Sequence, residues 1–171
     1  MSKISLWKWS RPDRKEFTHI TLTAVAAVAS LVIARLCHLP ESYWAPITTL
    51  VVMQSTLGAA WTISKQRLAG TAIGAALGAL LATYFHPNAF VFGLGIFLSG
   101  VICIFLRLER NAYRYTGITL AIIFLVARTQ AAWIIAIHRF VEIAIGIAVG
   151  LALTALFPEH PPVAALRAEG E

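Results

Sequence analysis

The sequence predicts an all-α integral membrane protein with six transmembrane helices, arranged as two three-helix units of inverted topology. Three observations predict it. The composition is too apolar for a water-soluble globule, six apolar runs approach membrane-crossing length, and the chain matches itself at an offset of 72 residues. Hydrophobic residues make up 58% of the 171 and charged residues 13%, with a mean hydropathy of +0.75. Soluble domains carry about 25% charged residues, and a chain of this size still leaves a large surface to cover. An ordinary soluble enzyme, a disordered chain and a secreted disulfide scaffold are therefore excluded. The net charge of +6 would by itself point to nucleic acid. Too little water-facing surface is left for such an interface, and no nucleic-acid partner is expected.

About 20 apolar residues are needed for a helix to cross the hydrocarbon core. The six runs are 17–37, 43–60, 68–85, 89–106, 112–127 and 133–157. The first follows a basic tail, residues 1–16, and is too long for a cleaved signal core. His38-Leu39-Pro40-Glu41-Ser42 separates the first run from the second, and His86-Pro87-Asn88 separates the third from the fourth. The fifth is short and flanked by Arg114 and Arg128, whose side chains can reach the interface. Pro158 ends the sixth, leaving the tail 159–171. With both termini in the cytoplasm, 11 of the 14 basic residues fall inside; Arg35, Arg128 and Arg139 fall outside. That distribution agrees with the positive-inside rule for an even number of spans. Trp7 and Trp9 are then expected at the inner interface, and the basic tail against anionic lipid.

The repeat aligns 59–85 with 131–157, with 12 identities in 27 ungapped positions. Trp61 falls on Trp133 and Arg67 on Arg139; upstream, Arg35 falls on Arg107 and Tyr43 on Tyr115. Each half, residues 17–87 and 88–158, holds three spans. An odd number makes the second half cross in the opposite sense, a plan common in transporters and shared by channels.

On the third run Arg67, Gly70, Gly74 and Gly78 lie three and four apart, with Thr71 beside them. On the sixth run Arg139, Glu142, Gly146 and Gly150 do the same. Glycine stripes let helices approach closely. Each arginine stands near a helix N-terminus, where it adds to the positive end of the dipole and needs an anion or a carboxylate to compensate it. For Arg67 the alternative is a simple topology anchor. Inverted topology places Arg67 near the inner face and Arg139 near the outer, so an anion path is expected to run between two matched points. Glu142 is either the structural partner of Arg139 or a group that titrates as substrate moves. His138 points away from Arg139 on the helix and is a second candidate for carrying a proton. Gln54, an amide costly to place in lipid, is expected to line the passage with Thr71. No metal-ligand spacing, phosphate loop or nucleophile–base pattern occurs, so neither enzyme activity nor a cofactor is expected.

Tyr43-Trp44-Ala45-Pro46-Ile47-Thr48-Thr49-Leu50-Val51-Val52-Met53-Gln54, followed by Arg67-Leu68-Ala69-Gly70-Thr71-Ala72-Ile73-Gly74, resembles the fusaric acid resistance and aromatic acid exporter family. Similar six-span units occur in the plant aluminium-activated malate channels. The resemblance covers residues 43–82 best and extends to the second half through the repeat. It implies a bacterial inner-membrane exporter of aromatic carboxylic acids or other organic anions, working as a homodimer or higher homo-oligomer. Efflux members often engage a periplasmic adaptor, and many carry a large cytosolic domain; this sequence reads as a short form without one. The alternative is a non-transporting membrane scaffold or partner subunit of a larger complex.

Overall fold

The computed structural model describes residues 14–54, 56–126 and 130–157. They form α1 (Arg14–Leu36), α2 (Trp44–Val52), α3 (Leu57–Tyr84), α4 (Ala89–Phe105), α5 (Arg110–Leu125) and α6 (Ala132–Leu156), with no strand among the described residues. By length and composition α1, α3 and α6 are able to cross a membrane, and α4 is a shorter apolar helix. The tail with Trp7 and Trp9, Ser55, Arg128 and the segment from Pro158 onward lie outside the described residues.

Two expected boundaries need correction. The run 43–60 is not one helix: α2 has nine residues, only about 14 Å. Met53 turns extended, with φ −60° and ψ 106°. Thr56 then opens α3, its hydroxyl accepting the Ala59 N–H at 3.3 Å. Hydropathy could not register this break, because apolar residues flank it on both sides. The third helix consequently begins at Leu57 rather than near residue 68. Lys65 and Arg67 lie inside it, not in a loop, as do Arg110 and Arg114 inside α5. Lysine, glutamine and arginine are good helix formers, so nothing local stops α3 there.

The third helix of each half packs on the second helix of the other. α3 lies against α5 most extensively, α6 lies against α2, and α3 and α6 also touch each other. Glycines set these distances. A Cβ on Gly70 would overlap the Ala112 carbonyl oxygen, and one on Gly74 would overlap that of Thr116. On Gly78 it would sit 3.1 Å from Ile123 Cβ. In α6, a Cβ on Gly146 would overlap the Ala45 carbonyl oxygen, and one on Gly150 would come within 3.0 Å of Val52. α1 joins α2 and α6 through Ala26, Ser30 and Ala34, all fully buried at four-residue intervals. This is a small-residue stripe of the same kind.

α1 and α4 end alike. His38 and Arg107 take left-handed φ values of 55° and 53°. Each residue's N–H returns to the carbonyl three back, and the next N–H to the carbonyl five back, the Schellman pattern. His38 and not Arg35 is therefore the counterpart of Arg107. The ungapped offset of 72 does not hold so far upstream. The outward surface is apolar, with Phe105 87% exposed and Phe90, Phe97 and Ile104 nearly as open. A face this apolar is what lipid covers.

At the α4 start, Asn88 Oδ1 accepts the Val91 N–H at 2.8 Å. Asn88→Ala is expected to cost about 1 kcal/mol, and Asn88→Asp to retain most of it. Thermal unfolding of the detergent-solubilised protein checks this.

Candidate functional site

The first arginine, Arg67, projects from α3 and is 7% exposed. Its Nε and Nη2 donate to Thr48 Oγ1 at 3.3 and 3.1 Å. Its guanidinium carbon lies 5.0 Å from the centre of the Tyr115 ring. Among the described residues no carboxylate pairs with it. A charge taken from water is normally compensated by a counter-charge. Among the described residues the Thr48 hydroxyl and Tyr115, through its hydroxyl and its ring face, meet the cation.

Arg139, 2% exposed on α6, is held differently. Its Nη2 lies 2.5 Å from Glu41 Oε2, and its Nη1 3.7 Å from Glu142 Oε2. Its guanidinium carbon stands 4.2 Å over the Trp44 ring. Glu41 comes from the segment joining α1 and α2. Its backbone N–H donates to Glu142 Oε1 at 3.1 Å. Its Oε2 also accepts from Trp44 Nε1 at 3.1 Å and from the Tyr43 hydroxyl at 3.2 Å. Two carboxylates thus surround one guanidinium.

The two arginines meet at one cavity. Trp44, Arg67, Thr71, Tyr115, Thr119 and Arg139 line it, with three isoleucines of α5 and α6 completing the wall. It is a narrow cleft, open on one side, with internal room for about one water molecule. The expectation of two points on opposite sides is corrected: α3 and α6 touch each other, and Arg67 and Arg139 line the same space. Arg67 on Tyr115 and Arg139 on Trp44 form matched cation–π pairs. The arginines are 72 residues apart and the aromatics 71, so the alignment of Tyr43 with Tyr115 misses by one residue. Thr71 Oγ1, buried at 1% exposure, has no hydrogen-bond partner, and neither do Arg139 Nε and Nη1. Unused donors on a cavity wall are features a ligand satisfies.

Other expected residues lie elsewhere. Gln54 is not on the cavity wall. Its Nε2 donates to the Val51 carbonyl at 3.2 Å and closes the last turn of α2. His138 is also off the wall, its Nδ1 buried and without a partner. Glu142 does stand beside Arg139, but Glu41 makes the shorter contact. Glu41 carried no sequence signal beyond a loop carboxylate near Pro40; Trp44 and Thr48 stand in the sequence within the family-like stretch 43–54 and Tyr115 as the repeat counterpart of Tyr43, none of them marked as a partner of an arginine. Gln66, one position before Arg67, donates from Nε2 to Glu109 Oε2, tying α3 to the start of α5. Among the described residues no three His, Cys, Asp or Glu side chains converge as a metal site.

A family model described as fusaric acid resistance protein-like matches residues 24–153. The chain belongs to this family. The match takes in every residue of the cavity and of the Glu41–Arg139–Glu142 cluster. Fusaric acid resistance-like chains are multi-pass membrane proteins, and the long apolar helices of this one agree. The chain is 29% identical over 167 residues to "Uncharacterized transporter YdhK" of Escherichia coli (strain K12), covering 92% of this chain and 25% of that protein. It is 28% identical over 160 residues to the protein of the same name in Salmonella typhimurium (strain LT2), covering 88% and 23%. The chain therefore spans about a quarter of the length of these curated relatives. No solved structure matches it.

Proposed function

We propose that this chain forms the membrane passage of an exporter of small organic monoanions, with aromatic carboxylates as the substrate class. The observation that carries the reading is Arg67, a buried guanidinium on a cavity wall met by Thr48 and Tyr115 but, among the described residues, by no carboxylate. A carboxylate that enters as Trp44 and Tyr115 swing apart to widen this narrow cleft supplies the missing counter-charge through charge-assisted hydrogen bonds. Thr71 Oγ1 adds a donor, and the Trp44 and Tyr115 rings offer faces for an aromatic group. Transporter-named relatives in the same family support the same direction.

In this reading all six helices belong to the membrane as two inverted units, residues 17–87 and 88–158, related about an axis through the cavity. The matched pairs Arg67–Tyr115 and Arg139–Trp44 support that plan, as does the reciprocal packing of α3 on α5 and α6 on α2. α2 enters only part of the bilayer, as interrupted helices do around transporter sites. The tails 1–16 and 159–171 face the cytoplasm of a bacterial inner membrane. The working unit is a homodimer or higher homo-oligomer, with a periplasmic adaptor as its further partner.

Flux of radiolabelled benzoate from proteoliposomes holding the purified chain tests the proposal. Wild type is expected to exceed empty vesicles. Arg67→Gln is expected to reduce flux at least tenfold, since a hydrogen bond to a charged group contributes about 1.5–3 kcal/mol, while the protein inserts and melts no lower than wild type. A wild type that moves no benzoate would overturn the reading. The chain is then better described as a scaffold or partner subunit whose glycine faces serve assembly alone.

A further inference from the structure

Resting on the anion reading above, we infer that Glu41 and Glu142, standing behind Arg139 and off the cavity wall, together form a proton site coupled to this cavity, taking up one proton for each monoanion bound. The argument is a charge balance. Arg67 and Arg139 bring two positive charges to the cavity, and Glu41 and Glu142 bring two negative charges to Arg139. The empty site is neutral as a whole but unevenly divided. Arg139 with its two carboxylates carries one net negative charge, and Arg67 across the cavity carries the balancing positive one.

A monoanion on Arg67 cancels that positive charge. The cluster is then left with an uncompensated negative charge in a buried setting, where excess charge is costly. A proton drawn from solvent onto the carboxylate pair restores neutrality. Glu142 Oε2 is the atom placed to receive it. It is buried, lacks a hydrogen-bond partner, and stands 3.7 Å from Arg139 Nη1. Glu41 Oε2 is the better satisfied of the two, accepting from Arg139, Trp44 and Tyr43. The charged and titratable groups facing Glu142 are few. Arg139 comes from its own helix, and Glu41 and Tyr43 from the segment entering α2; Arg67 on α3 and Tyr115 on α5 line the cavity that Arg139 also reaches. Among the described residues α1 adds none to the cluster. Protonation also loosens the carboxylate grip on Arg139, whose Nε and Nη1 make no hydrogen bond, and leaves this cation freer to share the anion.

The test is benzoate binding to the full chain in nanodiscs from pH 6 to 8, a range in which an ordinary carboxylic acid stays ionised. Proton uptake is read in parallel with an indicator dye in weak buffer. Wild type is expected to take up about one proton per benzoate. Its affinity should then weaken toward tenfold for each pH unit, the sign required when the complex holds the extra proton. Glu142→Gln is expected to show no uptake and an affinity independent of pH. Glu41→Gln should do the same, since either amide removes the surplus negative charge and provides a second reading if one variant fails to fold. Wild-type binding with a flat pH profile and no uptake overturns the proton site and leaves the anion site standing. Uptake retained in either folded amide variant also overturns it. Absence of wild-type binding overturns the anion reading and this inference together.

Discussion

Arg139→Gln is expected to be among the most destabilising single substitutions in this chain, costing about 3–5 kcal/mol. The loss comes from what remains. Glu142 stays buried at 1% exposure, its remaining donor the Glu41 N–H, and Glu41 Oε2 loses its shortest contact. Trp44 also loses the cation over its ring. Thermal unfolding in detergent should show the drop, and the triple variant Glu41→Gln, Arg139→Gln, Glu142→Gln should recover much of it. A triple variant no more stable than the single one would place the effect in packing rather than charge. Arg67→Gln gives the opposite expectation. It removes a buried cation that lacks a counter-charge, so stability should hold or rise while anion flux falls. Stability lost at one arginine and function lost at the other would separate the two roles. For that reason Arg139→Gln is not a clean test of transport.

Gly146→Leu is expected to be comparably severe, at about 3 kcal/mol or more, because overpacking beside backbone is not relieved by a rotamer change. The new Cβ meets the Ala45 carbonyl oxygen and comes within 2.6 Å of Thr48 Cβ. To make room, α6 must move off α2, and Thr49, which donates to the Gly146 carbonyl at 3.0 Å, loses that bond. The same movement draws Arg139 away from Trp44 and Glu41. Gly58→Ala and Gly93→Ala are the controls, since nothing lies within 4 Å of a Cβ at either position. Size-exclusion profiles and melting curves of the three variants should place Gly146→Leu alone at the low end. A Gly146→Leu protein that melts like wild type would mean that the α2–α6 contact contributes little.

The sequence showed what short-range periodicity can carry. Arg67 with Gly70, Gly74 and Gly78 lies on one helical face by spacing alone, as do Arg139, Glu142, Gly146 and Gly150. Their contacts were not legible, because each stripe meets a helix from the other half. Arg139 and Glu41 are 98 residues apart, and no local pattern marks such a pair. Gln54 misled for a related reason. An amide in an apolar run points to a cavity, whereas here a carbonyl three residues back satisfies it. Thr56, a residue type that favours N-caps, did mark the start of α3. The apolar run on both sides hid it. The break matters to the site, because it ends α2 at Val52 and lets α3 carry Arg67 back past Thr48.

The reciprocal pairing of α3 with α5 and of α6 with α2 has a consequence for biosynthesis. A chain made from its N-terminus completes α2 and α3 long before either partner exists. Until α5 is made, Gly70 and Gly74 have no neighbour to accept, and until α6 is made Glu41 has no arginine. The first half therefore waits as an incomplete assembly, and neither half is a folding unit in its own right. Separately expressed halves should be short-lived alone and rescued by co-expression, with α6 closing on α2 and α3 together.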